Sequence, residues 1–269
     1  MKYTRIFLWG LLMLLQSAVA VQAGQQPEFS TAGFFELAQS GRTVSSMNPA
    51  WRFHKGAAPG AEALHYDDAQ WGVVSLPHGL EYLPTEASGG INYQGEAWYR
   101  KHFTPDNKLK GKKLFLHFEA IMGKKAGFYV NGKTAGRTLW GLSAAGGGCD
   151  AGTEVGGRQR DCGVDRHSND PTYPPGKPQD MLDFCYFGGI YRDCWLVAHG
   201  AVYITDPNYE KVTAGGGLFV AYDRVSDAQA DICLQLHLRN DGRQTFNGVV
   251  EYELLQPDGK QAALINTTG

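Results

Sequence analysis

From Trp51 onward the chain is written in short apolar runs broken by turn residues, and this punctuation constrains its fold more than any other feature. Trp51-Arg52-Phe53 opens the series, Asp67 to Trp71 marks a turn, and Val73 to His78 reads as a strand that Pro77 confines to an edge or an end. Ala97 to Phe103, Lys113 to Phe118 and Ala126 to Val130 follow, and Asn131-Gly132 closes the last with a strong hairpin signal. No apolar periodicity of helical length competes. Strands at this spacing imply an all-β fold, an antiparallel sandwich or jelly roll.

Near Ala198 the pattern changes. Val202 to Thr205, Leu218 to Tyr222, Ile232 to Leu238 and Val249 to Leu255 are again strands, and Ile232, Leu234, Leu236 and Leu238 alternate with polar Cys233, Gln235 and His237. Such alternation predicts one buried and one wet face, as in an immunoglobulin-like sandwich. Asn240-Asp241-Gly242 and Pro257-Asp258-Gly259 supply turns. About four strands are written where such a sandwich needs about seven, so this second unit is expected to be truncated. The expected organisation is residues 1–23 a signal peptide, 24–46 a linker, 47–198 a jelly-roll sandwich and 199–269 a partial immunoglobulin-like sandwich.

The N-terminal assignment rests on Lys2 and Arg5 ahead of the apolar run Ile6 to Leu15, with small residues after it at Ala18-Val19-Ala20 and Val21-Gln22-Ala23. The run is too short for a permanent membrane span. An exported chain, periplasmic or extracellular, is therefore expected. A net charge of -2 without a long basic run gives no electrostatic reason to expect nucleic acid. Five cysteines without CxxC spacing indicate free or buried thiols and no metal site.

Two stretches carry most of the motif content, Asn92 to Phe103 and Pro174 to Trp195. The ordered series Trp51-x-Phe53, Asp68-x-x-Trp71, Leu76-Pro77-His78, Trp98-Tyr99-Arg100-Lys101, Phe128 to Gly132 and Gly188-Gly189-Ile190-Tyr191-Arg192-Asp193 resembles the N-terminal region of family 2 glycoside hydrolases, the β-galactosidase and β-glucuronidase group. The resemblance implies a jelly-roll, galactose-binding-like domain followed by an immunoglobulin-like domain. In that family a third, (β/α)8 barrel domain supplies two glutamates for a retaining hydrolysis of terminal β-linked sugars, and no part of this chain has the strand-helix alternation of a barrel. No catalytic residue is assigned to the chain. A carbohydrate resembling a β-galactoside is the expected partner, a homo-oligomer the expected assembly of the intact enzyme, and the cofactor is left unassigned. The alternative is a non-catalytic carbohydrate-binding module of the same fold.

Matching the family motif onto this chain places Asp183 and Asn92 near positions that reach the substrate in β-galactosidases. A carboxylate and an amide there would exchange hydrogen bonds with sugar hydroxyls. His78 is expected to make a structural hydrogen bond, Arg192 and Asp193 a charge-assisted pair, and Arg100 and Lys101 to share that kind of role. Of Trp98, Tyr99 and Tyr191, alternation sends at least one ring of the Trp98-Tyr99 pair to the core, leaving the others able to stack on a sugar.

Between the two motif-rich stretches, Gly141 to His167 holds eight glycines and three aliphatics larger than alanine. It is not expected to bury a strand face, and the sandwich would then lack two strands and leave open edges. Back-translated and read one nucleotide later, the segment can be brought into the family pattern and rejoins Ser168-Asn169-Asp170-Pro171 in phase. Two compensating one-base shifts are the expectation, with a natural glycine-rich insertion as the alternative, and the coding DNA decides between them.

Overall fold

A computed structural model describes residues 41–81, 93, 95–122, 125–138, 142–148, 159–166, 188–210, 212 and 216–268. The expected signal peptide lies outside these residues. In chain order the first strands are β1 (Thr43–Ser46), β2 (Trp51–Lys55), β3 (Gly72–Val74), β4 (Glu96–Phe103), β5 (Lys113–Met122), β6 (Lys125–Val130), β7 (Lys133–Thr138), β8 (Leu142–Gly148), β9 (Gln159–Arg166) and β10 (Cys194–His199). They form two antiparallel sheets, of order β1-β10-β5-β8 and β3-β2-β4-β9-β6-β7.

The core between the sheets follows from the alternation. Leu114, Leu116 and Phe118 of β5, with Cys194, Leu196 and Ala198 of β10, face Trp51, Tyr99, Phe103, Phe128 and Val130 of the six-stranded sheet. Phe118 makes the bridge, its ring 6.2 Å from Trp51 and 5.1 Å from Phe128. The β6-β7 hairpin turns at Asn131 and Gly132, both at positive φ, the type I′ geometry expected of Asn-Gly. β3 is a sheet edge and stops before Pro77, in keeping with the missing N–H of proline.

Strand β4 is buried on both faces. Tyr99 and Phe103 point to the core, while Trp98 lies on the opposite face under Ala58 and Ala61, walled by Tyr66 and Trp71. Neither ring of the Trp98-Tyr99 pair is left to stack on a sugar. Arg100, on the same outer face, donates to Asp68 at 2.7 Å and to the carbonyl of Ala61, and His102 Nε2 sits 2.6 Å from the same carboxylate. Burial raises the Asp68 pKa, but the hydrogen bonds and charges of His102 and Arg100 outweigh it and hold the carboxyl below its usual range. Lys101 is fully buried and donates to the Pro49 carbonyl. Both cations thus tie loops to β4, Arg100 through the charge-assisted pair expected of it and Lys101 through a backbone carbonyl.

Three expectations are corrected. The segment Gly141 to His167 does supply strands: β8 pairs with β5, and β9 runs between β4 and β6. Ladder hydrogen bonds use only backbone N–H and C=O, which glycine and alanine provide as well as any residue. The stretch assigned to a linker contributes β1, which pairs with β10 and buries Val44 and Ser46. Asp193 does not take its partner from Arg192, which is exposed; it accepts from Asn48 Nδ2 at 2.8 Å, and Asn48 Oδ1 accepts from the Cys194 N–H. That staple runs from the β1-β2 turn to the start of β10, a contact distant in sequence.

After β10 come β11 (Val202–Ile204), the one-turn helix α1 (Pro207–Glu210), β12 (Leu218–Asp223), β13 (Asp231–Leu236), β14 (Leu238–Asn240), β15 (Val249–Leu255) and β16 (Gln261–Thr268). Among the described residues they pair as two-stranded ribbons, β11-β14, β12-β13 and β15-β16. The expected strand Ile232 to Leu238 is divided at His237, whose N–H donates to Gly217 and whose carbonyl accepts from Thr205, so the chain changes partner there. The expected buried face is mostly uncovered: Leu234 and Leu236 are half-buried, but Ile232 and Leu238 are exposed, as are Val249 at 61% and Ile265 at 54%. Among the described residues no helix is long and apolar enough to cross a membrane.

Candidate functional site

Both sequence-derived contact residues, Asn92 and Asp183, lie outside the described residues, but the stems from which their segments spring are described. The stretch Leu76 to Glu81, which follows β3, joins them. Its His78 N–H donates to Ile190 O at 2.8 Å and its Leu80 N–H to Gly188 O at 3.3 Å. Gly189 in turn exchanges two hydrogen bonds with Met122 at the end of β5. These bonds fix Gly188, Gly189 and Ile190, which follow the segment that carries Asp183 in the sequence.

One residue further along the same strap, Glu81 closes the other stem. Its Oε2 accepts from the Tyr93 N–H at 2.9 Å and its Oε1 from Lys55 Nζ at 2.8 Å. Lys55 also lies over the Tyr93 ring, 4.9 Å from its centroid, and the Tyr93 hydroxyl donates to Glu96 O. Asn92 is the residue immediately before Tyr93. The strap therefore ties both candidate segments to one end of the sandwich.

Packing beneath the strap explains the motif residues. Gly189 has φ +92°, and a Cβ there would stand 2.6 Å from the Tyr99 hydroxyl and 2.7 Å from His78 O. Only glycine permits that approach. His78 Nδ1 is 2.9 Å from the Tyr99 hydroxyl, and its ring stands edge-on to Phe53 at 4.6 Å. Burial pushes the His78 pKa below the ordinary histidine value, so the imidazole is neutral. Its role is the structural hydrogen bond expected.

Both oxygens of Glu81 are engaged and His78 bonds Tyr99, so these groups support the strap. Among the described residues no group of three or more His, Cys, Asp or Glu could hold a metal ion. Sequence reasoning found His78, Tyr99 and Gly189 through their motifs. It missed Glu81 and Lys55, which stand in no recognisable spacing; the Tyr93 that they grip was legible only as part of the Asn92 motif.

Comparison with known proteins agrees with the motif order. No protein-family model matches the chain. The chain is 27% identical to a β-galactosidase of Thermoanaerobacter pseudethanolicus over 219 residues, 81% of this chain and 28% of that protein. It is 27% identical to a β-glucuronidase of Formosa agariphila over 244 residues, 86% of this chain and 24% of that one. Among solved structures, a β-glucuronidase of Bacteroides uniformis superposes with a TM-score of 0.72 at 27% identity, covering 84% of this chain and 26% of that one. A β-glucuronidase described as belonging to glycoside hydrolase family 2 superposes at 0.69 and 25% identity, over 87% and 26%. The chain spans about a quarter of the length of these relatives. Over most of its length it is similar to β-galactosidases and β-glucuronidases of glycoside hydrolase family 2.

Proposed function

We propose that this chain is the substrate-side portion of an exported, β-galactosidase-like family 2 glycoside hydrolase. In this reading the first sandwich is a jelly-roll sugar-binding domain and residues 199–269 begin an immunoglobulin-like domain. Asn92 and Asp183 reach the terminal sugar from the two tied segments. Bond cleavage, with retention, belongs to a pair of glutamates on a barrel outside this chain, and the intact enzyme assembles as a homo-oligomer.

The observation that carries the reading is the strap from Leu76 to Glu81. It bonds the described residues that follow both candidate segments, Gly188 and Ile190 on one side and Tyr93 on the other, and a loop site needs such ties to select one hydroxyl pattern. A carboxylate and an amide are the groups that exchange hydrogen bonds with a neutral, hydroxylated ligand.

Titration of the purified chain with methyl β-D-galactopyranoside, followed by calorimetry or NMR, tests it. Binding in the millimolar range, weakened about tenfold by Asp183→Ala and less by Asn92→Ala, is the expected result. Binding unaffected by either variant sinks the assignment of the loop end.

A further inference from the structure

A concavity lies on the outer face of the four-stranded sheet, and none of its lining residues belongs to the strap or to the stems that it ties. β5 and β10 turn alternate side chains away from the core, so Phe115, His117 and Glu119 stand beside Trp195, Val197 and His199 on this face. The stretch Val202 to Tyr209 folds back across it and encloses a cleft of about 850 Å³. That volume lies within the range of small-ligand sites.

The apolar side of the cleft is a ring cluster. Phe115 is 5.5 Å from His199, 5.5 Å from Tyr203 and 5.3 Å from Tyr209, measured between centroids. The polar groups gather at Glu119, His117 and Asp206. Glu119 Oε1 accepts from the Trp195 indole N–H at 2.8 Å, which uses one of the roughly four acceptor positions of a carboxylate. His117 Nδ1 is 3.4 Å from Asp206 Oδ2, and these two side chains are 34% and 33% exposed, so both are reachable from the cleft. His199 is neutral, its pKa lowered to about 4 chiefly by burial.

The lining carries charges of both signs, Glu119 and Asp206 on one hand and Arg42 on the other, so neither an anion nor a cation is singled out. What remains is a neutral molecule with an apolar ring face and hydroxyls at its edge. We propose that this cleft is a second saccharide site, in which C–H faces of a neutral pyranose pack against the aromatic and aliphatic wall and its hydroxyls bond Glu119, His117 and Asp206. The inference stands independently of the loop-end site.

The Trp195 indole N–H is a built-in reporter, because it bonds the carboxylate that would meet the sugar. Its resonance in a proton–nitrogen NMR spectrum of the full chain, assigned by its loss in Trp195→Phe, is followed during titration with methyl β-D-galactopyranoside and, in parallel, methyl β-D-glucuronide. The expected result is a saturable shift with the neutral sugar and at least a tenfold weaker response to the uronide. Glu119→Gln and His117→Ala should each weaken the neutral response about tenfold or more. Asp183→Ala should leave it intact while weakening binding at the loop end about tenfold. The buried Trp51 indole reports whether each variant is folded. An unmoved Trp195 signal at tens of millimolar sugar overturns the proposal. So does a shift that the uronide produces equally, that survives both cleft variants, or that vanishes in Asp183→Ala.

Discussion

Residues 43–199 and residues 202–268 use the same strand vocabulary, but among the described residues only the first region closes a core. In the first, two sheets face each other and every large side chain of β5 and β10 that points inward finds a partner across the gap. In the second, three separate ribbons leave Val249, Leu254 and Ile265 exposed. Alternation in a strand specifies which face is apolar; burial needs an opposing layer, and the same pattern is worth little without one.

Trp51→Ala tests the closed side of this comparison most severely. It removes a ring buried to 1% exposure between the sheets, together with its indole bond to Met47 O. A loss of about 3–5 kcal/mol is expected by denaturant unfolding. Asp68→Ala comes next, since it strands the Arg100 guanidinium, whose side chain is 1% exposed, without its counter-ion. About 3 kcal/mol is expected, at the low end of measured values for breaking a buried pair. Gly189→Ala forces a Cβ against Tyr99 and His78 at positive φ, for about 2–3 kcal/mol. A second test on this variant is weakened sugar binding at the loop end, because the strap must shift.

Where the two regions meet, pH is the probe. His199 lies between Phe115 and Tyr203, and its pKa is lowered to about 4 by burial first, with Arg42 adding and Asp206 opposing. The unfolded chain takes up this proton near pH 6.5 and the folded chain does not, so stability present above about 6.5 is lost as pH falls toward 4. Melting temperatures across that window should drop, and His199→Gln should flatten the slope. Asp68 adds a further loss at lower pH, as its carboxylate is protonated out of its bonds to Arg100 and His102. The smallest effect belongs to the open region: Leu254→Ala should change the stability of this chain by about 0.5 kcal/mol or less. A loss near that of Trp51→Ala would mean that the ribbons share a core after all.

Local signals carried much of the fold. The Asn131-Gly132 turn, the edge strand before Pro77 and the charge pairing of Arg100 each follow from residue chemistry within a few positions, whereas the burial of both faces of β4 does not. What sequence did not reveal was non-local. The Asn48-Asp193 staple and the Glu81 clip join residues 145 and 12 positions apart, and no spacing announces them. β8 and β9 were hidden for another reason: their pairing is a backbone property, while composition reports on side chains. At the candidate site the strap motifs were legible, since glycine at positive φ and a buried His-Tyr pair leave residue signatures. The supporting carboxylate was not, because a glutamate gripping an amide looks like any surface glutamate.

The function we propose is a division of labour, in which this chain would hold sugar and other polypeptide would break the bond. The direct measurement is release of 4-nitrophenol from 4-nitrophenyl β-D-galactopyranoside by the purified chain, at protein concentrations where sugar binding is saturated. The account predicts a rate equal to the protein-free blank, with binding still detectable. Sustained turnover that scales with chain concentration and persists through repurification would contradict it.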